Sequence, residues 1–149
     1  ELGHFKVIRD GRPCSCGGRG CLEAYASGTA VARIASERYG RSMDAKEVYA
    51  LARRGDPPAS VVVREAAELL GYAVAAVYQL FDPDIVVLGG SVTRDFDVFS
   101  DVLLASAEAY IQPIPGRKVR LAVSEFDGDQ VALGAAWYAA DTRGLTKSE

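Results

Sequence analysis

The stretch Glu1–Glu23, ELGHFKVIRDGRPCSCGGRGCLE, constrains this chain more than any other. It holds the only histidine, His4, and all three cysteines, Cys14, Cys16 and Cys21. Four such scarce residues scattered at random would share so short a window on the order of once in a hundred chains. Three thiolates and an imidazole are the donor set of a closed, tetrahedral structural zinc site. The glycines between them let the loop turn tightly, and Pro13 stiffens the approach to Cys14. Two competing readings are weaker. An unmetallated cysteine loop is disfavoured because free buried cysteines usually spread along a core, and a disulfide-based redox role would leave one thiol over. Four protein ligands also leave no open position for water or substrate, which argues against a catalytic zinc.

Two carboxylates bracket the loop. Glu1 lies three residues before His4 and Glu23 two after Cys21. A zinc-bound imidazole keeps one ring N–H that needs an acceptor. Glu1, Glu23 and the outer nitrogen of His4 would make a polar cluster suited to a polyol such as a sugar. The alternative is that both glutamates are solvated surface charges.

These residues carry a family resemblance. Glu1-Leu2-Gly3-His4, then Cys14-Ser15-Cys16-Gly17-Gly18-Arg19-Gly20-Cys21-Leu22-Glu23, ending at Ser27, closely resembles the signature of the ROK family (repressors, open reading frames, kinases). The resemblance implies that His4, Cys14, Cys16 and Cys21 bind zinc, and that His4, Glu1 and Glu23 touch sugar hydroxyls. Asp82-Pro83-Asp84-Ile85-Val86-Val87-Leu88-Gly89-Gly90-Ser91-Val92 resembles the adenosine-side segment of such kinases, which makes Gly89, Gly90 and Ser91 the candidate nucleotide contacts. By themselves two glycines after a strand signal only a tight turn. Gly128-Asp129-Gln130, leading to Ala132–Ala136, resembles the family's closing helix, with Gln130-Val131 a mild departure.

The implied fold is α/β: part of the C-terminal lobe of an actin/hexokinase-like, ribonuclease-H-like kinase. The implied parent is an ATP-dependent hexokinase acting with Mg²⁺ on the 6-hydroxyl of glucose or a related hexose. Its phosphate loops and catalytic aspartate are expected upstream of Glu1, so the segment is expected to be a fragment, inactive alone and with exposed apolar surface. The rival reading is a sugar-responsive ROK repressor with an N-terminal DNA-binding segment. A dimer or tetramer is implied in either case.

Composition narrows the partners. The 149 residues suit one domain with a real core, 49% being hydrophobic. A net charge of −3 and a pI near 5.2 make no electrostatic case for nucleic acid or an anionic membrane. Arg53-Arg54 and Arg117-Lys118-Arg120 read as solvated surface. No signal peptide opens the sequence, and cysteines in a metal pattern fit a reducing cytoplasm. The apolar run Leu69–Phe81 is too short to span a bilayer.

Four segments are expected: a zinc and sugar loop (1–27), a helical segment (28–81), a nucleotide-side α/β segment (82–140) and a polar tail (141–149). Phe5–Ile8 alternates and reads as the tail of a strand whose edge would lie unpaired. Ser27 should cap a helix to Tyr39, stopped by Gly40. Further helices are expected over Asp44–Arg54 and Ala59–Phe81, the latter apolar nearly all round in its second half and so enclosed by protein. Ile85–Leu88 reads as a buried strand, Asp95–Ile111 as an amphipathic helix, 118–123 as a one-faced strand and Gln130–Ala140 as the last helix.

Overall fold

A computed structural model describes residues 2–126 and 129–143. After a short 3-10 turn at Leu2–His4, the helices are α1 (Glu23–Ala26), α2 (Gly28–Tyr39), α3 (Ala45–Arg53) and α4 (Pro57–Phe81). Then follow β1 (Val86–Leu88), a 3-10 turn (Ser91–Asp95), α5 (Phe96–Tyr110), β2 (Leu121–Val123) and α6 (Gln130–Thr142). The helix starts are written in side chains that can accept from exposed N–H groups. Ser27 accepts from the Ala30 amide, Asp44 from Glu47 and Asp56 from Ala59. Pro57 takes the first position of α4, where its missing N–H costs nothing. Gly40 ends α2 in the left-handed conformation.

The core lies where α4 crosses the other helices. Val62, Val63, Ala66 and Ala67 of α4 bury against Val31 and Ile34 of α2, Val48 and Tyr49 of α3, and Phe99 and Leu103 of α5. The α4–α5 approach is so close that a Cβ on Gly71 would sit 2.5 Å from the Leu103 carbonyl and 2.9 Å from the Ala107 amide. Both are backbone atoms and cannot step aside cheaply. Helix propensity alone would make Gly71→Ala stabilising by about 1 kcal/mol. The crowding reverses the sign: a loss of about 1–3 kcal/mol is expected, read as a lower urea midpoint.

β1 and β2 run parallel, with Val86 opposite Leu121 and Leu88 opposite Val123. Buried Tyr78 of α4 ties this pair down. Its hydroxyl donates to the Arg120 carbonyl and accepts from the Arg120 amide, both at 2.8 Å.

Three expectations need correction. Phe5–Ile8 is not part of a regular strand, so two strands are present among the described residues rather than three. The segment spends its hydrogen bonds on the loop itself: Leu22 N–H donates to Phe5 C=O and Val7 N–H to Gly20 C=O, both at 2.9 Å. The second half of α4 is enclosed only as far as Tyr78, since Leu80 and Phe81 are 73% and 76% exposed. Ile85 lies outside β1, Val87 is 59% exposed and Val86 and Leu88 are half-buried, so β1 is not the buried strand expected. Val131, Trp137 and Tyr138 of α6 are exposed as well. The expected tail is helical as far as Thr142, and 144–149 fall outside the described residues. No helix among the described residues is long and apolar enough to cross a membrane.

Candidate metal centre and sugar-facing site

Backbone pairing folds the loop before any metal is considered. Isolated antiparallel bridges join Lys6 to Cys21 and Pro13 to Arg19. Gly20 N–H donates to Arg12 C=O and Cys14 N–H to Gly18 C=O, both at 2.8 Å. Arg12 clamps the loop to α2 through a two-pronged pair with Glu37, and its amide donates to the Tyr25 hydroxyl at 2.6 Å.

This folding gathers all four soft ligands. One donor atom each of His4, Cys14, Cys16 and Cys21 lies within 4.8 Å of all the others. Cys14 Sγ is 3.6 Å from His4 Nδ1, and Cys16 Sγ is 3.7 Å from Cys21 Sγ. A tetrahedral zinc with bonds of about 2.1–2.3 Å sets its ligand atoms roughly 3.5–3.8 Å apart, so both separations match an edge of that tetrahedron. The sulfur pair is far beyond the ~2.05 Å of a disulfide. The donor set and its spacing therefore fit zinc.

Electrostatics point the same way. The Cys14 thiol is lowered to about 6, first by a hydrogen bond from the Cys16 backbone N–H and then by Cys16, Cys21 and His4 side chains. At Cys21 the Lys6 ammonium pulls the thiol down, but burial and the two neighbouring sulfurs outweigh it, and the net shift is upward. One proton leaves easily and the next resists. A divalent cation between the sulfurs removes that opposition.

The imidazole is two-sided. With Nδ1 turned to Cys14, Nε2 faces the Glu23 carboxylate, 4.0 Å from Oε2. Glu23 opens α1, whose position is set by the buried residues Cys21, Leu22 and Ala24. Ser15 Oγ donates to Glu23 Oε1 at 3.0 Å, an orienting bond that sequence reasoning missed. His4 and Glu23 are both half-buried. Glu1 lies outside the described residues.

The nucleotide candidates sit at the end of β1. Gly90 C=O accepts from both the amide and the hydroxyl of Thr93, which winds the chain into the 3-10 turn before α5. Ser91 lines a hollow of about 370 Å³ with Lys46, Tyr49, Val92 and Asp95. Gly89 and Gly90 are exposed beside it. Arg53 pairs with Asp95 and Asp97, fastening α3 to this turn, and its guanidinium holds the Asp97 carboxyl below the usual range. Of the closing segment, Gly128 is outside the described residues, and Asp129 precedes α6 without capping it through its side chain.

Known proteins give this geometry a context. Thermotoga maritima glucokinase is 34% identical over 150 residues, covering 91% of this chain and 47% of that protein. The crystal structure of a ROK family glucokinase from Streptomyces griseus, in complex with glucose and AMPPNP, superposes with a TM-score of 0.81. It is 29% identical and matches 93% of this chain and 50% of that one. A ROK family transcriptional regulator, a homologue of the E. coli MLC protein, superposes with a TM-score of 0.75 at 27% identity, over 85% of this chain and 34% of its own. The chain thus spans about half the length of the curated relatives it matches. The ROK family profile matches residues 1–142, and by that match and these likenesses the chain belongs to the ROK family.

Proposed function

We propose that this chain is the sugar-orienting, nucleotide-flanking part of an ATP-dependent hexose kinase of the glucokinase type. The observation that carries the reading is the two-sided His4, with Nδ1 toward the cysteines and Nε2 toward Glu23. Such an imidazole joins a metal-stiffened loop to a carboxylate that accepts from hydroxyls. His4, Cys14, Cys16 and Cys21 would hold the zinc, which supplies rigidity to this wall of the site. Glu23 would accept hydrogen bonds from adjacent hydroxyls of the ring, with Glu1 as its proposed companion. The His4 Nε2–H would donate to the same ring. Together they would turn the 6-hydroxyl toward the phosphoryl donor, the positioning on which phosphoryl transfer chiefly depends. Gly89, Gly90 and Ser91 would border the adenosine of ATP, whose phosphates and Mg²⁺ would be held by residues outside this chain. Glucose as substrate is supported by the glucokinase relatives. A cytoplasmic location and a dimer or tetramer belong to the same reading.

The second reading, a sugar-responsive repressor, is favoured by the likeness to the ROK regulator. It would use the same sugar-facing groups as a sensor. The two are separated by giving the full-length protein ATP, Mg²⁺ and glucose or N-acetylmannosamine. Sugar-dependent ADP release, with one sugar phosphate formed per ADP, is expected. Sugar binding without any ADP release would overturn the kinase and favour the sensor.

A further inference from the structure

Lys6 stands two residues after His4, and its side chain reaches across the loop. Its ammonium donates to Cys21 Sγ, with Nζ 2.8 Å from the sulfur. The contact is built on paired backbone, since Lys6 and Cys21 face each other in an antiparallel bridge. Room for it comes from Gly18: a Cβ there would lie 2.5 Å from Lys6 Nζ and 3.5 Å from Cys16 Sγ. The ammonium therefore fills the space that any side chain at position 18 would take. The loop's other cations are engaged elsewhere, Arg9 with the Asp10 carboxylate, Arg12 with Glu37 and Arg19 with the Asp10 carbonyl.

Charge counting gives this contact a purpose. Three thiolates and a neutral imidazole around Zn²⁺ sum to one excess negative charge, and one lysine brings the sum to zero. An N–H···S bond also draws electron density from the thiolate, which lowers its nucleophilicity. Cys16 is exposed, so an electrophile can reach the centre from solvent. We propose that Lys6 is the charge partner of the metal centre, cancelling its excess negative charge through Cys21 and slowing the electrophilic attack that would strip the metal. The inference rests on the zinc reading above.

The test is zinc release from the zinc-loaded protein treated with iodoacetamide and followed with a chromogenic chelator. Each alkylation forms an S–C bond and breaks a C–I bond, iodide leaving, and the resulting thioether holds zinc poorly. Lys6→Gln removes the charge. Gly18→Ala keeps the charge but displaces the ammonium from the sulfur. Both are expected to release zinc roughly three- to tenfold faster than wild type, a charge-assisted bond partly screened by solvent. The difference should narrow in molar salt, where the screening length falls to about 3 Å. Equal release rates for wild type and both zinc-loaded variants would overturn the role of Lys6. So would an acceleration that salt leaves unchanged, because a merely loosened loop behaves that way. Wild-type protein that holds no zinc would instead overturn the metal reading on which the inference stands.

Discussion

Cys16→Ser is expected to lose its zinc and to melt roughly 10 °C below the wild type. The loop from Phe5 to Cys21 has little apolar substance of its own: Cys21 and Gly20 are its only buried residues. Its backbone bridges are isolated pairs rather than a ladder. Metal binding is therefore expected to add to the order that the backbone pairing gives, and binding free energy acts as folding free energy. A zinc held with free metal at a thousand times the dissociation constant contributes about 4 kcal/mol. For a chain of this size that corresponds to roughly 10 °C in the melting midpoint. Cys16 is the informative position because it is exposed, so exchanging sulfur for oxygen there disturbs no core packing. Chelation of the wild type should reproduce the loss, and chelation of the variant should add nothing. Metal analysis beside a thermal melt reads both. A fully occupied and equally stable variant would remove the zinc centre.

In the full-length protein, Glu23→Gln is expected to weaken hexose binding by roughly tenfold to a hundredfold while zinc content stays unchanged. The carboxylate accepts two hydrogen bonds, and a charge-assisted bond is worth about 1.5–3 kcal/mol. The amide keeps the shape but turns an NH₂ donor toward hydroxyls that need an acceptor. Ser15 already occupies Oε1, so the loss falls on Oε2, the oxygen facing His4 Nε2. Glu1→Gln should act in the same direction. His4→Ala should be worse than either, because it removes a zinc ligand and the outer N–H donor together. Calorimetric titration with glucose and with N-acetylmannosamine, alongside metal content, measures this. Wild-type affinity for both sugars in a zinc-replete Glu23→Gln protein would make Glu23 a surface charge.

The helices were legible in the sequence because their signals are local. Ser27, Asp44 and Asp56 each bond an amide three residues away, and Gly40 needs only its own torsion angles. The gathering of His4, Cys14, Cys16 and Cys21 was legible for another reason: their residue types are scarce and their chemistry is narrow. Phe5–Ile8 misled because alternation over four residues fits a strand and a loop hairpin equally well. Leu80, Phe81 and Val87 misled because apolar character states what a side chain prefers, and their cover is absent from the described residues. Lys6 and Ser15 could not be read as participants. A lysine or a serine in a polar loop carries no mark of its partner until folding brings Cys21 or Glu23 beside it. The Tyr78–Arg120 link, 42 positions apart, is hidden for the same reason.

Helix α4 has a mechanical consequence. Twenty-five residues at a rise of about 1.5 Å make it a bar of roughly 37 Å. In its C-terminal half, Tyr72 lies against Phe5, with ring centroids 6.0 Å apart. Six residues further along the same half, Tyr78 grips the backbone of Arg120 beside β2. The wall bearing His4 and Glu23 and the glycine turn after β1 are thus mounted on the same member. A bar stiff along its length transmits displacement and does not absorb it. On the function proposed above, any bending around a bound sugar would fall at joints outside α4, and the spacing between the His4–Glu23 pair and the glycine turn after β1 would behave as a fixed gauge.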